Sequence, residues 1–249
     1  MRARGIQIAL VDCLDDEHLE NICRAAVDLR LITGSSAFGM KLPAIWRERG
    51  LLAAQPVLTP PDRPVKANGA GCLIVAGSCS AATLRQNEWA LEQGIEARHI
   101  HPPHILNGEL DRAEIVAEAR GALGAGRQYL LSTSGAAEDV REVQQWGAER
   151  GLSVPALGEA VASALAELVL EVIDGQAVGG LIVAGGETSG AVCRRLELGA
   201  MQVGRNIEPG VPLCYSLGRF QLPVVLKSGN FGSLDFYGKA IAAVTRGGE

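Results

Sequence analysis

Glycine and hydroxyl residues are concentrated where apolar segments end, and the longest such run also contains a carboxylate. In GGLIVAGGETSGAVCRRLEL, apolar residues lead directly into Gly185, Gly186, Glu187 and Thr188, and a helical pattern follows. Glycine lets a phosphate oxygen approach the backbone, and a helix that begins at such a turn directs unpaired N–H groups at the anion. The segment therefore predicts a phosphate-binding turn between a strand and a helix.

Four further loops share this composition and follow strand-like segments. They are Gly34-Ser35-Ser36, Gly77-Ser78-Cys79-Ser80, Ser132-Thr133-Ser134-Gly135, and the KSGNFG loop with Lys227, Gly229, Asn230 and Gly232. Each loop alone is also typical of an ordinary strand-to-helix turn, in which serine and threonine cap the helix. Together they indicate a ligand site, because parallel strands direct their carboxyl ends to one edge of a sheet.

Two charged residues in these loops have alternative interpretations. Glu187 can hold a metal ion through water or accept a hydrogen bond from a ribose hydroxyl, and it can equally be a first-turn glutamate favoured by the helix dipole. Lys227 can supply positive charge near phosphates or anchor its own loop. Its place in a glycine-rich loop is informative, because the only other lysines are Lys41, Lys66 and Lys239.

Common signatures are absent or incomplete. GSSAFGMKL has the glycine spacing of a Walker loop, but Met40 stands where lysine is required and Leu42 where a hydroxyl is required. Neither GxGxxG nor GxSxG occurs. His99, His101 and His104 lie among prolines, and we predict exposed loop histidines there rather than metal ligands. The sequence identifies no protein metal site and no catalytic residue.

The elements that position the loops alternate along the chain. Strands are predicted at 5–13, 29–33 and 71–76, near 98, within 127–132, near Leu181, and in two runs between 211 and 227. Helices are predicted at 14–29, up to Gly50, within 80–93, at 112–123, within 136–149, at 157–174, after Gly190, and at the C-terminus. This alternation predicts an α/β fold with three αβα layers and a mainly parallel, Rossmann-like sheet.

Composition limits the class of protein. The 249 residues are 47% hydrophobic, which is enough for a large core, and the formal charge is −5 with no basic run. A nucleic-acid partner and a membrane-spanning segment are therefore not expected. The six cysteines form no CxxC pair, and the start of the chain does not have the pattern of a signal peptide, so we predict reduced thiols and a cytoplasmic protein.

Four of these motifs, in this order, carry a family resemblance. With LITGSSAFGMKLP, LIVAGSCSAATLRQ, LIVAGGETSGAV and LKSGNFGSLDFYGKA, the chain resembles the four-carbon acid sugar kinases along nearly its whole length. The resemblance implies an ATP-dependent kinase that phosphorylates the terminal hydroxyl of a substrate such as 3-oxo-tetronate, threonate or erythronate, with Mg²⁺ as cofactor. It implies ATP contacts at Ser78, Ser80, Gly185, Gly186, Glu187, Thr188 and Gly229, with Lys227 near the phosphates.

The resemblance also implies a domain organisation. Residues 1–54 would be the C-terminal remnant of a sugar-acid-binding domain, the proline-rich 55–70 a linker, and 71–249 the ATP-binding domain. The family's acidic DD-x-TGA-like signature is absent, since EHLE follows Asp15-Asp16. Either the sequence is a truncated product, or a separate chain supplies the substrate domain. The alternatives to a kinase are a nucleotide-binding module without independent activity and, from fold pattern alone, a dehydrogenase that uses NAD.

Overall fold

A computed structural model describes residue 5 and residues 7–53 and 69–245. The chain divides into two compact units, residues 1–59 and 60–249. The predicted linker at 55–70 lies outside the described residues, except for Gly69 and Ala70. The assignment of residues 1–54 to a sugar-acid domain stays a prediction.

The first unit contains a pair of helices, α1 (Asp16–Ala26) and α2 (Ala37–Glu48). The Asp15 carboxylate caps α1 by accepting a hydrogen bond from the His18 N–H at 2.8 Å. The two helices share a small apolar cluster, which consists of Leu19, Cys23, Val27, Leu42 and Ile45.

The two strands predicted in this unit are not formed, so the predictions at 5–13 and 29–33 are wrong. Residues 7–13 and 31–33 have no regular structure, and Leu10 is 98% exposed. A strand requires a neighbour that satisfies its backbone N–H and C=O groups. No strand is present in the described part of this unit, residues 5 and 7–53, so the apolar sequence has nothing to pair with.

The second unit is built on a seven-stranded sheet. Its strands are β1 (Cys72–Ala76), β2 (Glu96–His99), β3 (Tyr129–Ser132), β4 (Gly180–Ala184), β5 (Met201–Glu208), β6 (Val211–Ser216) and β7 (Pro223–Lys227). In the sheet they follow the order β2-β3-β1-β4-β7-β6-β5. The first five in this order are parallel, and β6 and β5 extend the sheet as an antiparallel hairpin. The predicted fold class is confirmed.

Helices cover both faces of the sheet. They are α3 (Ala81–Glu92), α4 (Pro102–Asn107), α5 (Arg112–Gly124), α6 (Ala137–Ala148), α7 (Val154–Ile173), α8 (Gly186–Arg195) and α9 (Phe236–Thr245). Alternate strand residues belong to two cores, one shared with α3 and α9 and the other with α4, α5, α7 and α8. The central strands β1 and β4 are buried throughout, as expected of parallel strands covered on both faces.

Two elements of this unit differ from the sequence predictions. The predicted loop after residue 99 contains the short helix α4, which starts with proline and ends at Gly108 with a φ of 72°. Strand β5 was not predicted, because its sequence MQVGRNIE mixes polar and apolar residues at the edge of the sheet. Among the described residues, no helix combines the length and apolar character that a membrane span requires.

The long helix α7 provides a test of which surface stabilises the second unit. Leu165 is 0% exposed within its core, so Leu165→Ala should lower the free energy of unfolding by about 2–5 kcal/mol. Leu91→Ala is the matched control, because Leu91 lies in α3 and is 56% exposed, and its change should stay within about 0.5 kcal/mol. Urea unfolding followed by circular dichroism measures both, and equal losses would contradict the burial described.

Candidate functional site

The centre of the site is the point where the chain changes direction across the sheet. The neighbouring parallel strands β1 and β4 lead into α3 and α8, which pack on opposite faces. Their connecting loops therefore diverge at the carboxyl ends of the strands and leave a crevice between them. Open α/β sheets bind ligands at such a switch point.

The two loops at this point are in direct contact. The N–H groups of Gly77 and Ser78 donate hydrogen bonds to the carbonyl of Ala184 at 3.0 and 3.3 Å. A side chain on Gly77 would collide with the hydroxyl of Thr188. Gly185 has a φ of 126°, which side chains rarely allow, and a Cβ there would lie 3.1 Å from the Ser78 nitrogen. Glycine is therefore favoured by packing at Gly77 and by both backbone conformation and packing at Gly185.

Helix α8 begins at this contact. Its first internal hydrogen bond runs from the Ser189 N–H to the Gly185 carbonyl at 2.9 Å. The N–H groups of Gly186, Glu187 and Thr188 consequently have no acceptor within the helix. A Cβ added to Gly186 would meet nothing within 4 Å, so the backbone is open to solvent there. The helix N-terminus is thus accessible to an anion, as the sequence predicts.

The loop after β7 joins the same assembly. The Gly229 carbonyl accepts hydrogen bonds from the hydroxyls of Ser80 and Thr83 at 2.6 and 2.9 Å. The Gly185 N–H donates to the Lys227 carbonyl at 2.9 Å. The predicted segments 77–80, 185–190 and 227–232 therefore lie together at one edge of the sheet. Ser80 also caps α3 by accepting from the Thr83 N–H at 3.2 Å, so its hydroxyl has a structural role.

Lys227 is buried beneath this loop, with 2% of its surface exposed. Its ammonium group donates to Thr83 Oγ1 at 3.1 Å and to the carbonyls of Ser228 and Gly229 at 3.3 and 3.2 Å. Among the described residues no carboxylate forms an ion pair with it. Burial without an anionic partner disfavours the charged form and lowers the pKa of Lys227 to about 8. The lysine anchors the loop, which is one of its two expected roles.

A cavity of about 480 Å³ opens beside the switch point. Five of the predicted residues line it, namely Ser78, Gly185, Gly186, Glu187 and Thr188. Ser80, Lys227 and Gly229 are not among its lining residues and support the loops instead. The structure therefore divides the predicted site into a surface that faces the cavity and a layer that holds it in place.

Glu187 is the predicted residue with a free carboxylate at the cavity. It is exposed, and no described group donates a hydrogen bond to it. Among the described residues, no three His, Cys, Asp or Glu side chains are grouped so that they could hold a metal ion. Mg²⁺ usually binds through one or two carboxylates together with phosphate oxygens and water, and a single glutamate beside an anion site fits that mode.

Sequence reasoning missed part of the cavity wall. His99 and His101 line it at the carboxyl end of β2, although the motif analysis treated them as loop histidines without a site. Their position directly after a strand was the available signal. Residues of α6 and of the first two turns of α7 also line the cavity, and the sequence predicted only helices in these segments.

Comparison with known proteins agrees with this geometry. A model of the family described as "nucleotide-binding C-terminal domain" matches residues 73–237. A 3-oxo-tetronate kinase of Pseudomonas fluorescens is 38% identical over 248 residues, which cover 99% of this chain and 54% of that protein. A 3-oxo-isoapionate kinase of Paraburkholderia graminis is 32% identical over 249 residues, which cover 95% of this chain and 52% of that protein.

A structural relative extends the comparison. The crystal structure of a Haemophilus influenzae protein superimposes with a TM-score of 0.65 at 26% identity, covering 98% of this chain and 55% of that chain. The chain spans about half the length of these relatives. The family match covers most of the second unit, including the loops after β1, β4 and β7. The chain therefore belongs to the family of nucleotide-binding C-terminal domains, in agreement with the resemblance found in its sequence.

Proposed function

We propose that the second unit binds ATP and that the chain is the nucleotide-binding part of a kinase for four-carbon sugar acids. The observation that carries the proposal is the open N-terminus of α8, placed between two glycine-bearing loops at the edge of a large cavity. The relatives are named 3-oxo-tetronate kinase and 3-oxo-isoapionate kinase, which supports a kinase of a sugar acid. The resemblance of the sequence adds threonate and erythronate as candidate substrates.

In this proposal the phosphates of ATP lie against the start of α8. Gly185 and Gly186 allow the oxygens to reach the N–H groups of the first helical turn, and Ser78 and Thr188 border the same space. Ser80 and Gly229 contribute by fixing the neighbouring loop through their mutual hydrogen bond. Lys227 adds a positive charge beneath that loop, which nearby phosphates would compensate.

Phosphoryl transfer depends mainly on positioning and on neutralising the charge of the transferred group. Mg²⁺, when bound with the nucleotide, would supply part of that neutralisation, and Glu187 is the residue that would help to hold it. The helix amides supply the rest as fixed dipoles that need no rearrangement during the reaction.

The exposed apolar residues of the first unit suggest that another polypeptide packs against it. Ile8, Leu10 and Leu14 are each at least 85% exposed, although they belong to a strongly apolar segment. Exposed apolar clusters are typical of surfaces that another polypeptide covers. We infer that a chain carrying the remainder of a sugar-acid-binding domain packs there and provides the substrate pocket. A nucleotide-binding module without its own activity is the second candidate, because the relatives are about twice as long.

The activity is tested by measuring ADP release with Mg²⁺, ATP and a panel of four-carbon acids. We expect the chain alone to bind ATP and to release ADP in response to an acid only after addition of a polypeptide that carries the acidic Thr-Gly signature. Release by the chain alone would contradict the need for a partner. Binding of ATP without acid-dependent release in either case would favour the module, and failure to bind ATP would contradict both candidates.

Gly186→Val tests where the phosphates bind. The structure has space for the added side chain, so the fold should persist, but the branched group would occupy the approach to the helix amides. We expect ATP affinity to fall by at least about a hundredfold, which corresponds to about 2.7 kcal/mol. The matched control is Gly121→Val in α5, where a Cβ also meets nothing within 4 Å and the cavity is remote.

Cysteine alkylation provides the readout for the same pair of variants. Cys79 is exposed and lines the cavity, whereas Cys13 is exposed in the first unit. ATP should slow the reaction of iodoacetamide with Cys79 and leave Cys13 unchanged, and Gly186→Val should abolish the protection while Gly121→Val retains it. Equal protection in both variants would refute the placement of the phosphates at α8.

Lys227 predicts a pH dependence of ATP binding. The pKa of Lys227 in the free protein is about 8, and a nearby polyphosphate would raise it, so the complex holds more protons than the free protein above pH 8. ATP affinity should be constant from pH 7 to 8 and fall by up to about tenfold per pH unit above it. Phosphate ionisation, near pH 6, lies below this window.

Two lysine variants test whether Lys227 causes this pH dependence. Lys227→Met should bind ATP more weakly at pH 7 and show no decline between pH 8 and 9.5. Lys239→Met should retain the decline, because Lys239 is exposed and pairs with Glu208 and Asp235. Calorimetric titration at several pH values measures the dependence. The same decline in Lys227→Met would show that the lysine is not coupled to the phosphates.

A further inference from the structure

The part of the cavity away from the glycine loops is an apolar slot between α6 and α7. Val140 and Val143 face it from α6, and Leu157, Val161 and Ala162 face it from α7. Val140 and Val143 are three residues apart, and Leu157 and Val161 are four apart, so each pair lies on one side of its helix. The slot thus has two apolar walls that meet the polar end of the cavity near α8.

The two helices are in close contact at one point. A Cβ added to Gly147 of α6 would lie 2.8 Å from Leu157 Cδ2 of α7, so the Leu157 side chain packs directly against the α6 backbone there. Val143 and Leu157 are buried at the base. A slot with apolar walls is suited to a planar group that is inserted with its faces against those walls.

One side chain in the slot is a carboxamide without a partner. Gln144 lines the cavity and is half-buried, and no described residue forms a hydrogen bond with it. Its neighbour Gln145, of the same type, lies outside the cavity and pairs with Glu149 at 3.3 Å. A carboxamide offers a donor and an acceptor side by side, which matches the N6 and N7 edge of adenine.

The lining of the cavity argues against a sugar acid in the same place. Among the described lining residues, Asp139 and Glu187 are carboxylates, and neither lysine nor arginine is present. A sugar acid carries a carboxylate and several hydroxyls and has no apolar face, so the apolar residues of α6 and α7 would leave those groups without hydrogen-bond partners. A nucleobase is uncharged and has two apolar faces and a polar edge.

From these observations we propose that the slot between α6 and α7 binds the purine base of the nucleotide and that Gln144 determines the preference for adenine. The inference rests on the proposed function, since it places the phosphates at α8. The base then extends from the switch point over the carboxyl end of β3. Gln144 is a specificity-determining residue, and it takes no part in the transfer of the phosphoryl group.

The test compares affinities for ATP, GTP and inorganic tripolyphosphate, which has no base. The wild-type chain should prefer ATP over GTP, and Gln144→Leu should bind ATP about tenfold more weakly, lose that preference, and bind tripolyphosphate as before. Gln145→Leu is the matched control and should behave as the wild type. A second variant, Val161→Phe, fills the slot and should weaken ATP binding while leaving tripolyphosphate binding unchanged.

The outcomes separate this inference from the function on which it rests. If the wild type binds ATP but Gln144→Leu keeps its preference, or if Gln145→Leu loses it equally, the role of Gln144 is refuted and ATP binding stands. If Val161→Phe weakens ATP and tripolyphosphate alike, the slot does not hold the base separately from the phosphates. A wild-type chain that binds neither ATP nor tripolyphosphate would overturn the proposed function together with the inference.

Discussion

Backbone contact between the loops that follow β1 and β4 is the constraint on which the site depends. A side chain at Gly77 would collide with Thr188, and one at Gly185 would crowd Ser78 and require a φ that side chains rarely adopt. Both loops are bound to the strand end through the Ala184 carbonyl and the backbone of Lys227. The start of α8 is therefore held on rigid strands, and its free N–H groups keep a fixed direction.

This construction determines how negative charge can be accommodated. The described lining of the cavity has two carboxylates, two histidines and neither lysine nor arginine, so a polyphosphate there would rely mainly on main-chain dipoles and a metal ion. Lys227 is the basic residue at the end of β7. It is buried, and its ammonium group contacts the Gly229 carbonyl. In the proposed complex its charge would act through the protein, where screening by water is weak. Neutralisation would then be shared by the helix dipole, a metal ion and the buried lysine.

The sequence predicted the second unit well because its local and long-range requirements coincide. The segments at β1 and β4 are uniformly apolar, so they can be buried on all sides only between two neighbouring strands and two layers of helices. Each of these strands is also followed by a glycine. The strand predictions for the first unit were wrong for the opposite reason. Residues 7–13 have strand-like composition, but pairing depends on a neighbour that composition cannot supply. Strand β5 was missed because an edge strand exposes one side and mixes residue types.

The cavity wall was predicted from the sequence where it consists of loop backbone, and it was missed where it consists of helix surface. Gly185 and Gly186 have a local signature, because glycine directly after a strand leaves the backbone of the turn accessible. Val143 and Leu157 have no such signature, since an apolar helical face has the same periodicity whether it packs on a sheet or lines a cavity. Gln144 breaks that pattern within α6, and a lone polar residue beside a buried face also occurs in ordinary surface helices. Only the position of α7 across from α6 shows that this carboxamide lines a cavity with apolar residues on both helices.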